Sequence, residues 1–189
     1  MKPSVVLLAI AITACSPLAA QEPLCSTFMS TSASSIKFLE EQRDTRQSPC
    51  ISSVIKQLGQ AHDVDAARVL TRYLDFADPA TLPPPGGAAY VRLEYPAVAA
   101  LFEIGKPAAR ELMSVIQDSE SSTIRQNASR TYMFVYRDDL ASGIRQLRKE
   151  KLIARSAAAR RRLSDALQML MDACNNRGEQ EARACNNSA

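Results

Sequence analysis

One apolar pattern occurs twice in the middle of this chain, and it constrains the fold more than any other feature. It begins as PCISSVIKQLG at residues 49–59 and again as YPAVAALFEIG at residues 95–105, with apolar side chains at the spacing of one helical face. A second helical pattern follows in both places, as DVDAARVLTRYLDFADP at residues 63–79 and PAARELMSVIQD at residues 107–118. The sequence therefore predicts two successive pairs of short helices.

A third, looser copy follows the first two. Its first helix is predicted over residues 124–137 and its second over residues 138–152, with Asp138 as the cap of the second helix. The apolar positions of this pair are Ile124, Ala128, Tyr132, Val135, Leu140, Ile144 and Leu147. Because one pair carries more apolar surface than its two helices can bury between them, we expect the three pairs to stack into one core.

The turns inside the first two pairs contain aligned glycines. Gly59 is predicted to end its helix in the left-handed conformation that glycine adopts easily, and Gly105 is predicted to close the turn of the second pair. Asp63 is predicted to cap the second helix of the first pair. Small side chains on the second helices would let neighbouring helices approach closely; they are Ala66, Ala67, Ala108 and Ala109.

The composition agrees with packed helices. Hydrophobic residues make up 46% of the chain, which is enough for a core, but aromatic residues make up only 5% and tryptophan is absent. The core must therefore consist mainly of Leu, Ile, Val and Ala. Glycine is scarce and alternating β-branched segments are hard to find, so β-sandwiches and barrels are disfavoured. The predicted fold class is all-α.

One stretch carries a family resemblance. Residues 95–128 resemble the HEAT-like repeats of bacterial proteins: a Pro-Ala-x-x-Ala-Leu helix, an Ile-Gly-x-Pro-Ala turn, a Leu-rich helix ending at Asp118, and an Ile-Arg-x-x-Ala restart at residues 124–128. The resemblance implies a short right-handed α-solenoid of about three helix pairs over residues 49–152. It also implies binding of another macromolecule on a concave face of second helices, and it brings no catalytic residue with it.

The segments around the predicted array differ from it. Residues 21–48 form an N-terminal extension with one short helix over residues 36–43, capped by Ser34 or Ser35. Residues 78–94 contain PPPGG, which cannot be helical, and they predict either an ordinary connector or a recognition loop at the rim of the groove. Residues 153–189 predict a capping helix and a tail. That helix is expected over residues 154–176, with Gly178 ending it and a stripe of Leu163, Ala166, Leu167, Leu170, Met171 and Cys174.

The first 20 residues are typical of an export signal. Lys2 precedes the apolar run VVLLAIAI, which is too short to span a membrane. Two exits compete. ITAC at residues 12–15 resembles a bacterial lipoprotein box, in which Cys15 would become the lipidated first residue, whereas SPLAAQ at residues 16–21 suits ordinary cleavage. Either exit predicts a mature chain without a transmembrane helix in the periplasm or cell envelope, and the first would anchor it to the outer membrane.

The remaining cysteines agree with export. They are Cys25, Cys50, Cys174 and Cys185, an even number in a compartment that permits disulfides. Three disulfide pairings are compatible with four cysteines. The local one, Cys25 with Cys50 and Cys174 with Cys185, would crosslink the chain near each of its ends. No Cys-x-x-Cys motif occurs, so a structural role is favoured over a redox or metal site.

Basic residues supply the main electrostatic signal. Between residues 145 and 162 the chain has eight basic residues against the single acid Glu150, and we call this segment the basic run. It predicts either a solvated face or a surface for an anionic partner. Arg68 and Arg110 align in the repeat and, with Arg72, would form a ladder on the second helices. The predicted partner-binding residues are Arg68, Arg72, Arg110, Arg145, Arg148, Arg160, Arg161 and Arg162.

Catalytic motifs are missing from the sequence. His62 is the single histidine, and no Gly-x-Ser-x-Gly, phosphate loop, metal-ligand spacing or cofactor motif occurs. We therefore predict a non-enzymatic module that binds another protein, an acidic one if the basic run is the docking surface, as a scaffold, adaptor or assembly factor. Nucleic acid is disfavoured because aromatic residues do not interleave the basic run. The alternatives are an inhibitor or immunity-type protein, an accessory subunit of an envelope enzyme, and a tethered spacer.

Overall fold

The computed structural model describes residues 25, 30–46, 48–78, 91–92 and 94–186. Over these residues the chain is all-α, as the sequence predicts, and no strand occurs among them. The helices are α1 Ser32–Glu41, α2 Ile51–Gln60, α3 Ala67–Leu70, α4 Pro96–Ile104, α5 Ala109–Asp118, α6 Ser122–Val135, α7 Leu140–Ile153, α8 Ala157–Asn175 and α9 Glu179–Asn186. Three single 3₁₀ turns accompany them: Val64–Ala66 and Thr71–Tyr73 on either side of α3, and Lys106–Ala108 before α5.

Helix α1 begins earlier than the sequence predicts. Thr31 is its N-cap, because the Thr31 hydroxyl accepts a hydrogen bond from the backbone N–H of Ser34, while the Ser34 hydroxyl accepts one from the backbone N–H of Thr31. This reciprocal capping box satisfies two backbone donors at once. The predicted caps, Ser34 and Ser35, are therefore wrong as caps, although Ser34 takes part in the box.

The second helices of the first two pairs open in the same way. A three-residue 3₁₀ turn precedes each, and the alanine that ends it, Ala66 or Ala108, is fully buried. Asp63 caps the first of these turns by accepting from the backbone N–H of Asp65, as predicted. Gly105 precedes the second turn with φ +77° and ψ −146°, a conformation that side-chain-bearing residues rarely adopt, so its predicted place in the turn is confirmed.

Gly59 does not end its helix, so that prediction is wrong. It lies inside α2, and a Cβ atom added to it would sit 2.5 Å from the Ala100 Cα atom of α4. Glycine is needed here because the backbones of α2 and α4 approach closely. The left-handed residue of this turn is His62, with φ 49°, whose Nδ1 donates to the Glu103 carbonyl oxygen at 2.6 Å.

The helices pack around one continuous core. Helix α2 packs on α4, α4 on α6, and α5 on α6. Helix α8, predicted to cap the array, packs against α5, α6 and α7, so it belongs to the main core and does more than cover the last pair. Four members of its predicted stripe are fully buried and two are half-buried: Leu163, Ala166, Leu170 and Cys174, and then Leu167 and Met171.

An arginine from elsewhere in the chain holds the end of each of the first two second helices. Arg46 donates to the Arg72 carbonyl oxygen at 2.8 Å and to the Asp75 carboxylate at 2.6 Å. Arg162 donates to the Gln117 carbonyl oxygen at 2.8 Å and to the Glu120 carboxylate at 2.9 Å. Both arginines satisfy a carbonyl at a helix end and the carboxylate three residues later. We call these two sets of contacts the arginine clamps.

A buried amide links the first pair to the third. Asn127 on α6 is 2% exposed, and its Nδ2 donates to the Leu74 carbonyl oxygen at 2.6 Å. Leu74 follows the 3₁₀ turn at the end of the first pair. The hydrogen bond matters because a buried carbonyl without a donor would cost free energy.

The insertion predicted over residues 78–94 is closed at its base. The Asp78 backbone N–H donates to the Glu94 carbonyl oxygen at 2.9 Å. The Asp78 carboxylate is buried and forms an ion pair with Lys56 at 2.9 Å. The PPPGG segment lies outside the described residues.

The ends of the domain carry disulfides in the local pairing. Cys25 is bonded to Cys50, which precedes α2, and Cys174 at the end of α8 is bonded to Cys185 in α9. Gly178, with φ +112°, lies between α8 and α9, where a break was predicted. The predicted export signal and Cys15 lie outside the described residues. None of the described helices is both long enough and apolar enough to cross a membrane.

Candidate functional site: a groove between α5 and α7

A cavity with a volume of about 610 Å³ lies between α5 and α7, the second helices of the second and third predicted pairs. We call it the α5–α7 groove. It is lined by the cations Lys106, Arg110 and Lys149, the acids Asp118 and Glu150, the polar residues Ser114, Gln117, Gln146 and Tyr136, and the apolar residues Pro107, Ala109 and Met113. Lys106 begins the 3₁₀ turn before α5 and Arg110 lies in the first turn of α5, and both line the groove.

A hydrogen-bonded cluster forms part of the groove wall. The hydroxyls of Tyr132 and Tyr136 donate to the Gln146 Oε1 atom at 3.1 and 2.8 Å. Burial and the neighbouring Tyr136 raise the pKa of Tyr132, so its hydroxyl keeps its proton at neutral pH. Two donors hold the amide oxygen of Gln146, which leaves the amide N–H₂ as the donor of that side chain at the groove.

Lys106 joins the second pair to the third at one end of the groove. Its Nζ lies 3.3 Å from the Asp139 carboxylate and 5.6 Å from the centre of the Tyr136 ring. Asp139 is the N-cap of α7, because its side chain accepts from the backbone N–H of Ser142, so the prediction of Asp138 as the cap is wrong. Hydrogen bonding from Ser142, together with Lys106, lowers the pKa of the Asp139 carboxyl.

The predicted partner-binding arginines are spread over the molecule. Arg110 lines the groove, whereas exposed Arg68 and half-buried Arg72 line none of the described cavities. In the basic run, Arg145 is exposed and donates to the Ser142 hydroxyl, and Arg148 is half-buried. Arg160 and Arg161 are exposed in the first turn of α8. The structure therefore brings Arg110 together with two lysines and does not gather the predicted ladder in one cavity.

Arg162 differs from its neighbours in the basic run. Only 18% of its side chain is exposed, and its donors serve the second arginine clamp. The hydrogen bond and charge of Arg162 lower the pKa of the Glu120 carboxyl. Arg162 therefore ties α8 to the end of α5, which is a structural role.

Sequence analysis missed two of the three groove cations. Lys106 stands outside the basic run, and Lys149 stands within it but was not selected. The four-residue spacing of Lys106 and Arg110 is the sequence signal that groups these two cations, and Lys149 has no such signal that leads to the groove. Residue spacing does not specify which faces of α5 and α7 lie opposite each other, because that arrangement depends on how the two helices pack.

His62 contacts the backbone of the neighbouring helix α4. It is exposed, and its Nδ1 must be the protonated nitrogen because its partner, the Glu103 carbonyl, can only accept. Among the described residues, no group of three His, Cys, Asp or Glu side chains lies close enough to hold a metal ion.

Comparisons with known proteins add no relative: no family model matches the chain, and neither a curated protein nor a solved structure matches it. The HEAT-like resemblance therefore stays a prediction.

Proposed function

We propose that this chain is an exported, non-enzymatic binding module that holds an acidic polypeptide segment in the α5–α7 groove of a short right-handed α-solenoid. The observation that carries the proposal is the groove itself. It lies between two second helices and combines three cations with Gln146 donors and apolar contacts from Met113 and Pro107.

The charge of the groove favours an anionic partner of mixed character. Lys106 already pairs with Asp139 at 3.3 Å, so Arg110 and Lys149 are the cations assigned to the partner, and a segment with both acidic and apolar side chains would match this lining. Such rim charges mainly set the rate of association and the choice of partner. We therefore expect binding that weakens as the salt concentration rises.

Two further observations support the architecture and the compartment. The second helices of the first two pairs share a 3₁₀ entry with a buried alanine and an arginine clamp at the exit, as expected of repeats. The two disulfides are typical of a protein that works in an oxidising compartment such as the periplasm. Both the repeat-like architecture and the oxidising compartment are expected of a scaffold, adaptor or assembly factor of the cell envelope.

Affinity capture with matched variants tests the proposal. The mature chain is immobilised and exposed to solubilised envelope proteins, and retained proteins are identified and titrated. We expect one stoichiometric partner whose affinity falls at least tenfold, or about 1.4 kcal/mol, in an Arg110→Glu, Lys149→Glu variant. The control is Arg160→Glu, Arg161→Glu, which makes the same change of net charge at exposed positions of α8.

The outcomes separate the alternatives. Retention of the partner by the control, together with its loss from the groove variant, supports the groove. Loss from the control alone would place the docking surface on the exposed arginines of α8. If no protein is retained at either low or moderate salt, the chain is not a protein-binding module, and the spacer alternative is favoured.

A further inference from the structure

A second, smaller cavity differs from the groove because basic residues line it without an acidic one. It has a volume of about 290 Å³ and lies where α4, α6 and the end of α8 meet. We call it the arginine cavity. Its lining consists of Arg92, Arg137, Arg177, Phe102, Phe134, Met133, Leu140 and Ala173. None of these residues is acidic, whereas the groove contains Asp118 and Glu150, and a third cavity of about 330 Å³ contains Asp165.

Two phenylalanines organise the arginines. Phe102 on α4 and Phe134 on α6 meet edge to face, with ring centres 6.4 Å apart. The guanidinium carbon of Arg92 lies 4.8 Å from the Phe102 ring centre and 5.5 Å from that of Phe134. The guanidinium carbon of Arg137 lies 5.4 Å from the Phe102 ring centre. Two cations therefore share one ring, and contact with the ring holds each of them in place.

Arginine supplies all the charged side chains that line this cavity. Arg137 has an ion pair with Asp138 at 3.4 Å, but both side chains are mostly exposed and such pairs contribute little. Arginine stays charged at any relevant pH, and its planar donors match the oxygens of carboxylates and phosphates. Guanidinium groups that line one small cavity repel each other, and one bound anion would relieve that repulsion.

We propose that the arginine cavity binds a small amphipathic anion, with an oxyanion head against Arg92 and Arg137 and a short apolar stem against Phe102, Phe134 and Met133. The cavity is at the lower end of the size range of ligand pockets, roughly 300 Å³, so the ligand is smaller than a cofactor. Arg92 belongs to the predicted insertion of residues 78–94. The proposal thus gives the returning end of that insertion a role in recognition, independent of the α5–α7 groove.

Isothermal titration of the mature chain tests the site with four probes: hexyl phosphate, hexanoate, inorganic phosphate and hexan-1-ol. We expect saturable 1:1 binding of at least one of the two alkyl anions. Inorganic phosphate and hexan-1-ol should bind at least tenfold more weakly, because each lacks one half of the recognition. Failure of both alkyl anions to bind the wild-type chain overturns the proposal. Equal affinity for inorganic phosphate and hexyl phosphate overturns the part played by the apolar stem.

Variants then locate the bound anion. Arg92→Gln, Arg137→Gln should weaken binding at least tenfold, whereas the control Arg160→Gln, Arg161→Gln should leave it unchanged. Because loss of the ring contacts can unfold the domain, Arg137→Lys serves as a second variant. It keeps the charge but loses the planar fork, and we expect weaker binding at an unchanged melting temperature. Equal weakening by the control would mean that net charge attracts the anion and would overturn the site.

An experiment with lipid vesicles distinguishes a lipid head group from a soluble molecule as the source of the anion. The wild-type chain is sedimented with phosphatidylglycerol vesicles, with and without hexyl phosphate. Sedimentation that hexyl phosphate reverses supports the proposal with a lipid head group as the ligand. Binding of hexyl phosphate without sedimentation supports it with a soluble ligand. Sedimentation that the Arg92→Gln, Arg137→Gln variant retains in full overturns a head-group site at this cavity.

Discussion

The first predicted helix pair, α2 with α3, and the second, α4 with α5, have second helices that begin and end alike, but the turns within the two pairs differ. Both second helices open with a 3₁₀ turn over a buried alanine and close under an arginine clamp. Gly59 and Gly105 align in the sequence, yet Gly59 permits a close approach of two backbones, whereas Gly105 permits a backbone conformation. One residue type at aligned positions therefore meets two different physical requirements.

Substitution of Gly59 should have the largest effect. In Gly59→Ala the new Cβ would lie 2.5 Å from the Ala100 Cα and 2.7 Å from its Cβ, so α2 and α4 must move apart. Overpacking of this kind costs about 3 kcal/mol, and the better helix propensity of alanine offsets about 1 kcal/mol. We expect a net loss of about 2 kcal/mol in urea unfolding, relative to the wild-type chain.

The partner substitution provides the control for this effect. Ala100→Gly in the Gly59→Ala background removes the contact with the Ala100 Cβ and should recover part of the lost stability. A double variant whose losses simply add would contradict a direct contact between these residues.

Substitution of Gly105 should have a smaller effect with a different signature. Among the described residues, the atom found near a Cβ added at Gly105 is the Phe102 carbonyl oxygen, at 3.9 Å. Gly105→Ala therefore strains the backbone, because φ is +77°, but it does not create a steric clash. We expect a loss of about 1 kcal/mol, because backbone strain exceeds the gain from a less flexible unfolded chain. Gly105→Asn should lose less than Gly105→Ala, because asparagine tolerates positive φ better. Equal losses for both variants would argue against a conformational cause.

The first arginine clamp should contribute less than either glycine. The side chains of Arg46 and Asp75 are 31% and 29% exposed, so solvent screens their ion pair. We expect Arg46→Ala to lower the free energy of unfolding by about 0.5–1 kcal/mol. Arg43→Ala is the matched control, since among the described residues the ion pair given for Arg43 is with the adjacent, exposed Asp44 at 4.0 Å. A control loss as large as that of Arg46→Ala would deny the clamp a specific role.

We expect the second arginine clamp to affect the pKa of Glu120 more clearly than the stability of the protein. Arg162 lowers the pKa of Glu120, so any contribution of this pair is present above the unfolded-state pKa and is lost as the pH falls through the folded-state pKa. We expect NMR titration to place the Glu120 pKa below the ordinary glutamate value of about 4.3. In Arg162→Gln it should rise toward that value. An unchanged pKa would mean that the contact with Arg162 is not maintained in solution.

Sequence patterns predicted what depends on local spacing. The all-α class, the buried stripe of α8 and the cap at Asp63 follow from helical periodicity and from hydroxyl or carboxylate side chains before a helix. The spacing does not resolve choices between neighbours: Asp139 caps α7 in place of Asp138, and Thr31 caps α1 in place of Ser34.

The sequence patterns did not predict the features that depend on contacts between segments far apart in the chain. Gly59 is buried against Ala100, and Arg162 reaches Gln117 and Glu120 across 45 and 42 residues. In the same way, Lys106 became a candidate binding residue only when α5 and α7 were seen to form one groove. Helical periodicity shows which side of a helix is apolar, but it does not show which neighbour covers that side.

The hydrogen bond from Asn127 to the Leu74 carbonyl has a consequence for the order of folding. The donor lies 53 residues after the acceptor, so a growing or translocating chain exposes Leu74 long before Asn127 emerges. Until α6 arrives, water must satisfy that carbonyl and the end of the first pair stays open. A chain truncated after Asp118 should therefore exchange the backbone amides of α3 faster than the full chain does. The first pair would then acquire its final protection only when the third pair is made.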